Sequence, residues 1–372
     1  MGGWSWQFAF SVAVGLVLFA VLLVPVLVVQ QRRYGRLSAR RVLVVSAACV
    51  YAVALVAYTL LPLPDPATVC TGGGSHGPQL VPFAFVGDIL RETAGLDLAA
   101  TLSSRATLQV VFNVVLFVPF GLLVRRAVGR LGVTTLLGLG ASLLIEVTQG
   151  TALFGLYPCP YRLADVDDLL ANTTGALLGA LLARRVLAWL PAAEDLERDR
   201  LRPRPVTARR RWLGMVVDGV VFTGVAATLR LLGAVAVELT GWTPPAGTAD
   251  VVRALPALVA GAVTFGPALT SRAASLGQRA VWLRPVWPHP VGPGRRLLRT
   301  AVVGGAWTLT TAARDVSQGS GPLALVGGLA TLVVVVAVAS VLTTRGHRGL
   351  SGVLSGATVV DSRAQPAGGT IL

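Results

Sequence analysis

Of the chain's 372 residues, 54% are hydrophobic and only 13% charged, and the mean hydropathy is +0.70, a balance that excludes an ordinary soluble domain with a solvated surface. The net charge is +15, and every one of the 32 basic residues is arginine. These arginines flank apolar runs instead of coating a soluble domain, so they read as topology signals and not as a nucleic-acid surface. The expectation is an all-α, polytopic integral membrane protein of the cell membrane.

Apolar runs of roughly 17 to 25 residues are long enough to span a bilayer. In chain order they fall near residues 8–30, 42–63, 107–124, 131–150, 168–190, 212–236, 253–270, 299–313 and 322–343. The eighth is short and rich in Gly and Thr, so about nine transmembrane helices is the expectation. The first run lacks a basic leader and a small-residue cleavage site, which marks a retained helix instead of a signal peptide. If the N-terminus is outside, 26 arginines fall in inward segments and five in the opposite loops, with Arg230 inside a span. The positive-inside rule therefore predicts N-out and C-in.

A break in composition at LPAAEDLERDRLRPRPVTARRR divides the chain. Residues 1–190 are expected to form a five-helix membrane domain, 191–211 a charged cytoplasmic linker, 212–360 a second membrane domain of about four helices, and 361–372 a disordered tail. Within the long loop at 64–106, LVPFAFVGDILRETAGL has the pattern of a short interfacial helix or of an ordered loop without membrane contact. Cys70 and Cys159 both fall in outward loops, where an oxidising compartment favours a disulfide; two unpaired thiols are the alternative.

Charged and strongly polar residues are costly at membrane depth, so each needs a partner or a task. In the predicted topology they gather at one end of three spans. The third span carries Asn113, with Pro119 six residues on to free a carbonyl and bend it. The fourth carries Glu146 and Gln149 in its last turns. Arg162 precedes the fifth, and Asp165, Asp168 and Asn172 follow at spacings of three and four, the same stripe continuing through Gly175 and Gly179. A small-residue stripe permits close helix contact below a polar mouth.

Simple capping is one reading of these aspartates, with Arg162 paired to Glu146. Capping or solvent exposure is the favoured reading for Asp167, which points off the stripe. A pocket is the favoured reading for Asp165, Asp168, Glu146 and Arg162, because capping leaves a glutamate near a helix C-terminus unexplained. Glu146, Asp165, Asp168 and Asn172 are hard-oxygen ligands suited to Mg²⁺ or Ca²⁺. Arg162 beside them favours an anionic group instead, such as a lipid phosphate or carboxylate, and no metal or other cofactor is expected.

FNVVLFVPFGLLV, which includes Asn113, Pro119 and Gly121, then SLLIEVTQ, then R-x-x-D-x-x-D-x-x-x-N-x-x-G from Arg162 to Gly175, resemble the VanZ-like family of membrane proteins over about residues 40–190. VPF at 81–83 resembles the Pro-Phe that precedes that family's third span. The resemblance implies one site made by Asn113, Glu146, Gln149, Arg162, Asp165, Asp168 and Asn172, and an association with resistance to teicoplanin-type glycopeptides; it supplies no reaction. In the second half RWLGMVVD, SLGQRAVWLRPV and RGLSGVLSGATVV are weakly similar to the RDD family over about 205–362, with Gly352 where that family has an aspartate. Arg211 and Asp218 would form a cytoplasm-side pair or act as anchor and cap.

Three functions follow from these residues. The first is a binding protein whose outer-leaflet pocket recognises an anionic ligand, such as a lipid-linked envelope precursor or a glycopeptide, among membrane lipids. The second is a membrane-embedded enzyme with paired carboxylates as acid and base. It lacks a zinc-type cluster, a Ser-His pairing and a phosphate loop, since His76, His289 and His347 lie in scattered loops. The third is a transporter, which needs a polar path that the glycine-smooth part of the fifth span does not continue.

Overall fold

The computed structural model describes residues 3–63, 65–66, 69–70, 77–160, 162–191, 193–245, 247–317 and 321–364. His76 and tail residues 365–372 lie outside the described residues. The chain divides into two compact units, one comprising Met1–Val21 and Ala39–Pro191, the other Leu22–Ser38 and Ala192–Leu372.

The first helix, α1 (Gly3–Tyr34), contributes residues to both units. The rest of unit 1 is α2 (Ala39–Leu60), α3 (Ala84–Glu92), α4 (Leu98–Leu102), α5 (Arg105–Val128), α6 (Leu131–Gly150), the single turn α7 (Ala152–Gly155) and α8 (Val166–Val186). Some of its helices start where side chains satisfy free N–H groups: Asp97 caps α4 through Ala100 N, and Ser104 caps α5 through Thr107 N. Glu92 adds a carboxylate to the N-terminus of α5 by accepting from Arg105 N and Ala106 N.

The middle of unit 1 is the crossing of α5, α6 and α8. A Cβ on Gly175 would collide with the Val114 carbonyl, one on Gly179 with the Val118 carbonyl, and one on Gly121 with the Ala176 carbonyl. Glycine therefore sets the distance between the two backbones. Ala176 and Phe117 are fully buried beside them. Along α8 the buried residues Asn172, Gly175, Ala176, Gly179, Ala180 and Ala183 recur at helical spacing. Pro119 does not end α5, which runs on to Val128, and Tyr51 donates its hydroxyl to the Leu116 carbonyl at 2.9 Å in the turn that Pro119 disturbs.

Unit 2 comprises the remainder of α1, then α9 (Ala193–Arg198), α10 (Ala208–Thr240), α11 (Ala249–Phe265), α12 (Leu276–Ala280), strand β1 (Leu283–Val286), α13 (Pro293–Thr300), α14 (Ala306–Ser317), α15 (Gly321–Thr343), α16 (Gly349–Ser355) and strand β2 (Thr358–Asp361). Its two apolar clusters are Phe222, Ala226, Ala257, Ala260 and Phe265, joined by Trp307, and Leu213, Val217, Val281, Leu283 and Val359.

Seven described helices are long and apolar enough to cross a membrane, against the nine expected. The fifth predicted span is a helix of 21 residues, but Asp167, Asp168 and Asn172 at one end and Arg184 and Arg185 at the other lower its hydropathy. Packing against α5 and α6 removes the need for an apolar surface all round. The eighth is broken in type: α13 passes through a π-helical segment, Ala301–Gly305, before α14 begins.

A small antiparallel ribbon adds to the all-α expectation, with Leu283 opposite Asp361 and Val286 opposite Thr358. Part of the supposed tail is therefore fixed. Asp361 ends β2 and is buried, and it accepts from Arg210 Nη1 at 2.8 Å, Arg363 Nη2 at 2.6 Å and Arg204 N at 3.0 Å. The stretch read as a charged linker holds α9, whose Leu196 is buried.

Candidate functional site

Several polar residues of unit 1 find partners where helices end. Asp165 stands in extended conformation just before α8 and caps it, accepting from Asp167 N at 2.8 Å. Its own backbone N–H donates to Glu146 Oε2 at 2.9 Å, which ties the last turns of α6 to the first of α8. Burial raises the Asp165 carboxyl above the usual carboxylate range, with the Asp167 N–H opposing that rise.

The loop before α3 docks on this junction. Gln79 N donates to Ala164 O at 2.8 Å and Val166 N donates to Gln79 O at 3.0 Å, forming a parallel bridge to Asp165. The Gln79 amide reaches Asp165 Oδ1 at 3.3 Å and Asp167 Oδ2 at 3.5 Å. Asp167 is neither solvent-exposed nor the cap of its own helix. It is 6% exposed and accepts from Phe83 N at 2.6 Å and Phe85 N at 3.0 Å, so it caps α3 from across the fold. The off-stripe direction that suggested a local cap is the direction in which α3 lies.

Asp168 accepts from the Asn113 amide, joining α8 to α5. Asn172 donates to Ser142 Oγ at 2.9 Å and is 3% exposed. Gln149 donates to the Thr59 carbonyl at 2.7 Å near the end of α2. Arg162 makes no ion pair with Glu146. Its guanidinium donates to the Leu61 carbonyl at 3.0 Å and the Tyr58 carbonyl at 3.5 Å, where the carbonyls at a helix C-terminus favour a cation.

A cavity of about 340 Å³ opens between α6, the segment before α8 and α8 itself. Glu146, Arg162 and Asp165 line it, and Leu80, Leu143, Val166 and Leu169 supply apolar wall. Of the residues expected at one site, these three meet in the cavity. Asn113 and Asp168 pair with each other outside its lining, while Gln149 and Asn172 hold neighbouring helices. Gln79, Asp167 and Ser142 were missed as members of this network. The VPF motif near Gln79 was the available signal for the first two, and nothing in the sequence singles out Ser142.

The rim carries backbone strain and a crosslink. Ala152, Leu153 and Phe154 follow Thr151 with φ of 54°, 53° and 56°, a left-handed run that L residues rarely adopt. Cys70 and Cys159 are joined, with Cα atoms 5.6 Å apart, and Cys49 is free and buried. Among the described residues, no group of three or more His, Cys, Asp or Glu side chains is arranged to hold a metal ion. The site is thus an apolar-walled, carboxylate-bearing cavity with one guanidinium at its edge.

Removing the Asp167 carboxylate is expected to release the α3 loop. Asp167→Ala removes the charge-assisted bonds from the Phe83 and Phe85 N–H groups and should cost about 1.5–3 kcal/mol, seen as faster proteolysis within 79–92 while Asp88→Ala, an exposed position, leaves the rate unchanged.

Residues 48–188 match the VanZ/LLP1 family model. The match runs from α2 through α8 and contains every residue lining the cavity. The RDD-like stretch lies outside it and gains no support from the comparisons. No curated protein and no solved structure matches the chain.

Proposed function

We propose that unit 1 recognises an anionic extracytoplasmic ligand, lipid-linked or glycopeptide in nature, in the cavity lined by Glu146, Arg162 and Asp165, and through it alters susceptibility to teicoplanin-type antibiotics. Arg162 binds the anionic group. Glu146 and Asp165 accept from hydroxyl or amine donors beside it, and the leucine and valine wall takes apolar chain. The N-out, C-in orientation belongs to this reading and puts the cavity at the outer face; its support is the 26 arginines on one side against five on the other.

The observation that carries the reading is the meeting of a guanidinium that has no ion pair with two carboxylates in an apolar-walled cavity. The resemblance to a family associated with teicoplanin resistance gives the phenotype to test. In a susceptible host expressing the full chain, the wild type is expected to raise the inhibitory concentration of teicoplanin, and Glu146→Gln or Arg162→Gln to abolish the rise. Loss of one charge-assisted hydrogen bond weakens binding by about tenfold or more. If both variants protect as well as wild type at equal membrane abundance, the site assignment is wrong.

A further inference from the structure

Unit 2 contains a second polar cavity that the reading of unit 1 does not use. Arg211 on the first turn of α10 and Arg299 at the end of α13 are 3% and 5% exposed, and both line a cavity of about 40 Å³ together with Asp218, Ser275 and Gln278. Phe265, Met215 and Val303 form its apolar wall. Buried guanidinia need counter-charge or a full set of acceptors; these two share one carboxylate in the cavity and lack a full set of acceptors.

Asp218 is the acidic group at hand, and its oxygens are committed elsewhere. Oδ2 accepts from Ser275 Oγ at 2.7 Å and Oδ1 from Gly277 N at 2.6 Å. The crossing of α10 and α12 locks this arrangement, because a Cβ on Gly277 would strike the Gly214 carbonyl. Neither arginine lies within 4.0 Å of a carboxylate among the described residues. Arg211 uses Nη2 on the Arg348 carbonyl at 3.2 Å, and Arg299 uses Nη1 on the Ala273 carbonyl at 3.4 Å. Arg211 Nε, Arg211 Nη1 and Arg299 Nε have no protein acceptor.

Two guanidinia and one carboxylate leave one positive charge to be balanced. Three unpartnered guanidinium nitrogens on the cavity's two basic side chains specify an acceptor of negative charge. Size narrows the choice: a water-sized atom needs roughly 10–15 Å³ of such space, so the cavity has room for a few atoms at most, less than the five heavy atoms of a phosphate. We propose that this cavity binds a small inorganic monoanion of chloride size between Arg211 and Arg299. It is a site separate from the unit 1 cavity, and its fate does not depend on the function proposed there.

The full-length protein in detergent, prepared in gluconate, tests this by its thermal midpoint as chloride or bromide replaces gluconate at constant ionic strength. A ligand that binds only the folded state raises the midpoint saturably. Chloride and bromide are expected to do so in wild type and phosphate not to. In Arg299→Gln the half-saturating concentration is expected to rise about tenfold or more. A response that follows ionic strength whatever the anion, or survives unchanged in Arg299→Gln, overturns the proposal; an equal response to phosphate overturns the assignment of size. Should Arg299→Gln fail to fold, bromide-soaked crystals of wild type decide: an anomalous peak within hydrogen-bond distance of both guanidinia supports the site, and none there overturns it.

Discussion

Gly175→Leu is expected to remove most monodisperse protein from detergent extracts, because its side chain would enter the space of the Val114 carbonyl on α5. Overpacking an ordinary core site costs about 1–3 kcal/mol. Here the obstacle is backbone, which cannot rotate away as a flexible side chain can, so the loss should lie above that range. Gly175→Ala should already be damaging, since the collision begins at Cβ. The matched control is Gly140→Leu on α6, where a Cβ would meet nothing within 4 Å. Size-exclusion profiles and thermal midpoints of the three variants check the expectation; equal behaviour of Gly175→Leu and Gly140→Leu would show that α5 and α8 do not approach so closely.

The second large effect is expected in unit 2 at Asp361. Its carboxylate faces Arg210 and Arg363, whose side chains are 7% and 3% exposed, and Arg210 also ties Val281 O at 2.7 Å and Trp282 O at 2.8 Å into the same corner. Asp361→Ala leaves two buried guanidinia facing each other and should destabilise the unit by about 3–5 kcal/mol. Burial alone would raise the Asp361 carboxyl, but hydrogen bonds from Arg363 and Arg210, with backbone N–H groups of Arg363 and Arg204, outweigh it and hold the group well below the usual carboxylate range. A depressed folded-state value contributes stability that is present above the unfolded value of about 3.9 and is lost as pH falls towards the folded one. Thermal midpoints should therefore fall below about pH 4 more steeply in wild type than in Asp361→Asn. Identical acid limbs would remove Asp361 as the cause.

Expectation and structure part at particular residues. Asp361 was assigned to a disordered tail because DSRAQPAGGTIL is polar and rich in Gly and Pro, a composition that cannot build a core of its own. It is fixed by arginines 151 and 2 residues away, and a local reading does not see the first of them. Asp167 failed for a similar reason. Helical spacing places it off the face of Asp168 and Asn172, and no local signal says that the N-terminus of α3 comes to meet it. Arg162 was offered Glu146 as a partner on charge alone, yet the carbonyls of Tyr58 and Leu61 take it, since helix-end acceptors carry no side-chain signature.

The residue pattern by itself determined the membrane-protein class, because roughly 20 consecutive apolar residues have few other stable destinations in water or lipid. It also determined which faces of the helices are polar and which are glycine-smooth, because a period near 3.6 converts spacings of three and four into one stripe. Tertiary structure alone decided the partners. Asp165 N on Glu146, Asn172 on Ser142, Gln149 on the Thr59 carbonyl and Asp167 on α3 are all bonds between a side chain and a distant group, and most of those groups are backbone N–H or C=O, which every residue carries. Such groups become selective only when helix ends and close crossings leave particular ones unpaired, and where those ends meet is a property of the packed molecule.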